Sequence, residues 1–372
     1  MVWFYLGDGV AGLAKWEIKY RMYLIYIIVA CVLQVLFALL SVFWAKKEPS
    51  FLKIFANVMA TLLCVVFIGG IAVVNILGSL TPEADGKLNL LHSGETLPTK
   101  KNSALISHIA IASDPHWNVD TANEERRNEI MDRIASSGYD AFFCLGDVAE
   151  IGAIPDAYVK PVNDFAKHLG NMPLRVIRGN HDALVNTRKK FGYYFGPEGK
   201  YEPYFRISGN GIHCLFLNLL WGTEDWTAAQ EDWLVSELDA IPQNETVVVF
   251  SHCFYFGSGS RNEESGVNWY DIPDMIEKVT PIFKKYNVDL VVSGHNHSME
   301  FLKDENVSYA IIGAMGGKPD DGNLTSYISP KSLWNAYGEH GWIDLQVYED
   351  KLSVIFMRYN GEPIYHVEIP TK

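Results

Sequence analysis

Five short segments of the 372-residue chain hold the side chains best able to bind a cation or move a proton. They are Asp114-Pro115-His116, Gly146-Asp147, Gly179-Asn180-His181-Asp182, Ser251-His252 and Gly294-His295-Asn296-His297. Each falls where an apolar run stops, which places it at the end of an expected strand. In open α/β sheets the ligand crevice lies outside the carboxyl ends of the strands, so segments far apart in sequence can converge there. Carboxylate, amide and imidazole donors without thiolates suit Mn, Fe or Zn and disfavour a closed structural zinc. Two divalent ions opposed by Asp114, Asp147 and a bridging hydroxide leave a charge of about +1 to attract a phosphate, even on an acidic domain. Two metals sharing a water lower its pKa and hold phosphoryl oxygens, which is the chemistry of phosphoester hydrolysis. His181 cannot easily share a metal with its neighbour Asn180. Its expected role is general acid, protonating the leaving alkoxide, with Asp182 orienting the ring.

The elements that must position these residues follow from periodicity. Strands are expected at Leu105–Ala112, Ala141–Leu145, Leu174–Ile177, Ile212–Leu219, Thr246–Phe250, Asp289–Val292 and Tyr309–Ile312. Helices are expected near Ala122–Ser137, Asp156–Leu169, Thr227–Ala240 and Pro273–Tyr286, the third opened by the Thr227/Gln230 capping signal. Such alternation implies stacked βα units, and three final runs up to Ile369 read as closing antiparallel strands. The segment from Phe254 to Tyr270, rich in aromatics and glycine, reads as a candidate lid over the substrate, with Tyr255 and Arg261 as candidate contacts. Trp117 and Trp221 are expected to make the mouth aromatic. Gly313-Ala314-Met315-Gly316-Gly317 reads as a tight turn near the ligands.

The first hundred residues are built differently. They carry 8 Lys/Arg and 6 Asp/Glu, whereas residues 101–372 carry 23 and 38. An acidic chain of net charge −13 lacks the concentrated basic surface a nucleic-acid binder needs. No charged residue occurs from Met22 to Ala45 or from Ile54 to Leu80, and each run is long enough to cross a bilayer. The expected organisation is a two-helix transmembrane hairpin in residues 1–80 (spans at about 22–45 and 54–80), a linker at 81–103 and a catalytic domain at 104–372. Lys46, Lys47 and Lys53 in the short turn lean the catalytic domain towards the outside of a cell membrane. Five scattered cysteines do not form a disulfide framework, and nothing in the sequence sets an oligomeric state.

The five blocks, in this order, resemble the signature of the calcineurin-like metallophosphoesterases over roughly residues 104–369. The resemblance implies a four-layer α/β/β/α sandwich and two divalent metals, Mn, Fe or Zn. It implies that Asp114, His116 and His297 bind one metal, that Asn180, His252 and His295 bind the other, and that Asp147 bridges them. It assigns His181 the same proton-donor role and offers Arg178 as a phosphate contact. The chain departs from relatives within the superfamily: the arginine of the protein phosphatases' Gly-Asp block is absent, and Glu150 stands where purple acid phosphatases carry a tyrosine ligand. The reading is a membrane-anchored phosphoesterase acting on a monoester or diester through a metal-bridged hydroxide, with a lipid-linked substrate as a candidate. A nucleotide or cyclic-nucleotide phosphodiesterase and a non-catalytic membrane scaffold stand as alternatives.

Overall fold

A computed structural model describes residues 29, 31–36, 51–99, 104–183, 187–261 and 269–371. In chain order its elements are α1 (Phe51–Ser79), β1 (Asn89–Leu90), β2 (Leu105–Ala112), α2 (Glu124–Ser136), β3 (Ala141–Cys144), α3 (Val159–Leu169), β4 (Pro173–Val176) and α4 (Arg188–Phe195). There follow β5 (Phe205–Gly209), β6 (Ile212–Phe216), α5 (Ala228–Ala240), β7 (Thr246–Ser251), α6 (Pro273–Lys278), α7 (Thr280–Lys285), β8 (Leu290–Ser293), β9 (Met299–Asp304) and β10 (Val307–Ile311). The chain closes through β11 (Ser332–Ala336), β12 (Gly341–Tyr348), β13 (Lys351–Arg358) and β14 (Pro363–Pro370).

Alternation along the strands builds the layers. In β2, Ile109 and Ile111 point into a core shared by two sheets, while Ala110 and Ala112 point to the opposite face. One sheet runs β1-β4-β3-β2-β12-β13-β14 and the other β11-β9-β10-β8-β7-β6-β5. Phe143, Phe216 and Phe250 meet between them, the last two stacked with ring centres 4.8 Å apart. The outer face of the first sheet is covered by Ile130 and Ile134 of α2, Phe165 of α3 and Phe191 of α4. Leu234 and Leu238 of α5 and Phe283 of α7 cover the second. The result is the expected α/β/β/α order of layers.

Local signals set the helix ends. Asn123 caps α2 by accepting the Arg126 N–H, and Thr227 caps α5 by accepting the Gln230 N–H. The single helix expected at Pro273–Tyr286 is two, α6 and α7, because Pro281 lies in the first turn of α7 and cannot supply an N–H to a continuous helix. Residues 81–99, expected as a linker, pack on the domain: β1 adds a parallel edge strand to β4, and Leu91 and Leu97 are buried. The Tyr194 hydroxyl also donates to the Pro82 carbonyl.

The expected first span, 22–45, lies outside the described residues apart from 29 and 31–36. Among the described residues no helix is long and apolar enough to cross a membrane, so the expected hairpin is not found in the described structure. The second expected span falls on α1, whose Leu62, Leu63, Val65, Val66 and Ile76 are each more than half exposed.

Candidate active site

Strands β2, β3 and β4 of one sheet and β7 and β8 of the other end at one edge of the sandwich, and all five segments emerge there. To face inward from so short a reach the backbone bends hard. Asp114, His116, Asp147 and His295 all take left-handed φ values, 55°, 45°, 51° and 70°, which side chains other than glycine rarely adopt. Gly179 must be glycine, since a Cβ there would sit 2.2 Å from Asp147 Oδ1. Gly317, in the turn after β10, would likewise drive a Cβ to 2.7 Å from the His116 ring. The 313–317 segment is thus a turn packed against the ligands, as expected.

The seven expected metal ligands come together. His297 Nε2 lies 3.3 Å from Asp114 Oδ1, and His252 Nε2 lies 3.3 Å from Asp147 Oδ2. Asn180 Oδ1 is 2.9 Å from His252 Nε2 and 2.8 Å from His295 Nδ1. Three overlapping groups form: Asp114, His116 and His297; His116, Asp147 and His181; Asp147, His252 and His295. The other nitrogen of several rings is already engaged. His116 Nδ1 meets Glu150 Oε2 at 2.7 Å, His252 Nδ1 meets the Leu145 carbonyl at 2.8 Å, and His297 Nδ1 meets the Lys318 carbonyl at 2.7 Å. Such bonds hold each ring with Nε2 aimed at the centre.

The donor set fits divalent metal. Asp114 Oδ1 and His116 Nε2 are buried without a hydrogen-bond partner, 3.8 Å apart. Orphaned groups of this kind are costly unless a cation takes them. Protons fill part of the role otherwise. Burial opposes charge on His116 and His252, yet the carboxylates beside them override it and raise these imidazoles to about 10 and about 9. His295 is lowered to about 3 by burial and the charge on His252. Burial likewise works against charge on Asp147, but the positive fields of His252 and His181 hold its carboxyl below the usual range.

A measurable consequence follows, because a metal needs neutral imidazoles. Both raised groups hold their protons at pH 7, so loading should release about two protons per centre, and apparent affinity should climb with pH towards 9–10. Calorimetric titration with Mn or Zn in buffers of different ionisation enthalpy counts those protons; no release would contradict the assignment of His116 and His252.

Several expected roles change. Asp182 does not touch the His181 ring. Its buried carboxylate accepts N–H bonds from Val148, Ala149 and Gly179 and the Tyr158 hydroxyl, so it ties the Asp147 and Asn180 segments together. Burial and then the charge of Asp147 raise it to about 6. His181 is held instead by its Nδ1, 2.9 Å from the Glu150 carbonyl, with Glu150 Oε1 at 3.6 Å. Glu150 therefore touches both His116 and His181; the sequence reading noted position 150 only as a departure. Arg178 is buried away from the cavity, where it donates to Thr187 Oγ1 at 2.8 Å. Tyr255 is core against Phe283 and Tyr309, and Trp117 is core, donating to Asp164. Arg261 is exposed and does not line the cavity, and residues 262–268 of the expected lid lie outside the described residues. Trp221 and Trp269 do reach the site, packing on His295 with ring centres 5.1 and 5.4 Å away.

The calcineurin-like phosphoesterase model matches residues 107–299, a stretch that contains all five segments. The chain belongs to the calcineurin-like phosphoesterases. It is therefore a hydrolase of phosphoric ester bonds, and this family's enzymes use dinuclear metal centres, for which the cluster supplies the donors. Mouse tartrate-resistant acid phosphatase type 5 is 22% identical over 319 residues, covering 76% of this chain and 94% of that protein. Purple acid phosphatase 3 of Arabidopsis thaliana is 28% identical over 95 residues, 25% of this chain and 26% of that one. Among solved structures, purple acid phosphatase PPD1 from yellow lupin shares the fold with a TM-score of 0.59 at 13% identity over 76% of this chain; the match spans 56% of the lupin protein. GAP50, described as the anchor in the inner membrane complex of Plasmodium, superposes with a TM-score of 0.55 at 15% identity, covering 72% of this chain and 89% of that one.

Proposed function

We propose that this protein is a metal-dependent phosphoesterase of small phosphoesters, anchored to a membrane by its N-terminal helices, with His181 as the proton donor. The observation that carries the catalytic part is the convergence of the donor side chains, with Asp114 Oδ1 and His116 Nε2 buried and orphaned, beside a cavity of about 290 Å³ lined by Asp147, Asn180, His181, His295 and His297. Asp114, His116 and His297 would hold one ion and Asn180, His252 and His295 the other, with Asp147 between. With both ions bound, such a centre supplies an acidified water and the positive charge that holds phosphoryl oxygens.

The remaining work belongs to the chain. His181 lines the cavity, its Nδ1–H is directed at the Glu150 carbonyl with Glu150 Oε1 at 3.6 Å, and Nε2 is left for the leaving oxygen. The His181 N–H donates to Asp147 Oδ1 at 2.8 Å, so the acid and the bridging carboxylate share one backbone anchor. The acid phosphatase relatives favour a monoester. Glu150, hydrogen-bonded to His116 where purple acid phosphatases place a tyrosine, argues against a tyrosinate-bound ferric ion.

Membrane attachment rests on α1. Its exposed surface carries Leu62, Leu63, Val65, Val66 and Ile76, and no charge follows Lys53. A contiguous exposed apolar face is covered in a membrane. The full chain should sediment with membranes and resist carbonate extraction. In detergent it should hydrolyse an aryl phosphomonoester with Mn, Zn or Fe and stop when chelator is added. Release by carbonate would refute the anchor; turnover indifferent to chelator would refute the metal centre.

A further inference from the structure

The cavity above the cluster carries an unexpected sign of charge for a phosphate site. Beyond the ligands its wall includes Trp269, Tyr337, Asn296, Asp320 and Asp321, and none of the described residues lining it is Lys or Arg. Asp320 is placed beside the centre by its own backbone: its N–H donates to the His297 carbonyl at 3.2 Å, and its carbonyl accepts the Gly338 N–H at 3.0 Å. Asp321 Oδ1 accepts the Asn323 N–H at 2.9 Å. Neither carboxylate forms an ion pair with a described residue.

Such a wall repels a second phosphate or a carboxylate on the substrate, since nothing but the metal cluster offsets the two aspartates. It suits the opposite. An ammonium group on the leaving alcohol would suit both carboxylates, and the rings of Trp269 and Tyr337 line the same cavity, where aromatic groups attract alkylammonium ions. We propose that this cavity selects phosphoesters whose leaving alcohol carries an ammonium group, with Asp320 and Asp321 as its counter-charge and Trp269 and Tyr337 as its aromatic wall. The proposal rests on the phosphoesterase reading above. In the reaction one water is consumed: its oxygen bonds to phosphorus, the bond from phosphorus to the alcohol oxygen breaks, and His181 passes a proton to that oxygen. Phosphate, or a phosphomonoester from a diester, and the amino alcohol leave.

The test uses the full chain in detergent with Mn, comparing phosphocholine with 3,3-dimethylbutyl phosphate, its uncharged isostere. The native protein is expected to favour phosphocholine in kcat/KM by about tenfold. The ratio should fall towards one in Asp320→Asn and Asp321→Asn. Because the same headgroup can arrive on a lipid, headgroup release from phosphatidylethanolamine vesicles is set against release from phosphatidylglycerol vesicles. Preference for the ammonium ester in either arm, lost in the variants, supports the proposal. A native ratio near one in both arms, or a preference that both variants keep, overturns it. If neither ester nor an aryl phosphate is hydrolysed with any metal, the phosphoesterase reading itself has failed.

Discussion

Replacing Asp147 by Asn is expected to lower kcat/KM by about a thousandfold or more, equivalent to about 4 kcal/mol of transition-state stabilisation, and to reduce bound metal below two per chain. The change is nearly isosteric. Asn retains an oxygen to accept the His181 N–H that Asp147 Oδ1 now accepts at 2.8 Å, so the backbone of the Asn180-His181 segment keeps its anchor. What disappears is the negative charge at the other oxygen, 3.3 Å from His252 Nε2 and 3.6 Å from His116 Nε2. Asp147 is the one carboxylate that takes part in two of the three donor groups among the described residues, so its substitution removes negative charge from most of the cluster. The protein itself should remain folded, because His252, deprived of the carboxylate that chiefly raises its pKa, can lose its proton, while His116 keeps Asp114 and Glu150 as partners. Metal content by atomic emission, with a thermal melt on the same sample, checks this. Two ions per folded chain with undiminished turnover would remove Asp147 from the bridging position.

His181→Ala is expected to behave differently, because a general acid matters in proportion to how poor the leaving group is. Hydrolysis of an alkyl phosphate, whose alkoxide must be protonated, should fall by about 10²–10⁴-fold, whereas an aryl ester with an acidic phenol should lose far less. Metal content should stay at two per chain. That last readout matters because His181 also falls within a donor group with His116 and Asp147, close enough to ligate. A ligand role predicts equal losses on both esters together with lost metal. The hydrogen bond from Nδ1 to the Glu150 carbonyl, with the Glu150 carboxylate nearby, is the arrangement of an oriented acid.

The chain's local sequence determined the site's composition and its place at the strand ends. Asp114, Asp147, Asn180, His252 and His295 were readable because each stands within a few residues of the end of a strand, and a strand's end is written in a few adjacent residues. The inward-facing halves of the strands were readable for the same reason, since alternation with a period of two is a local property. What a side chain touches across the fold was not local. Asp182 follows His181 in sequence but points to the N–H groups of Val148 and Ala149, because the left-handed turn at Asp147 brings that backbone over it. Glu150 holds His116 and His181 only because β3 lies between β2 and β4 and the loops after the three strands meet. Arg178 and Tyr255 sit beside functional residues in the chain and were read as substrate contacts, yet the tertiary packing turns both side chains into the interior. Asp320 and Asp321 were missed altogether: they belong to no motif, and the folding of the segment after β10 across the mouth of the cavity is what makes them part of the site.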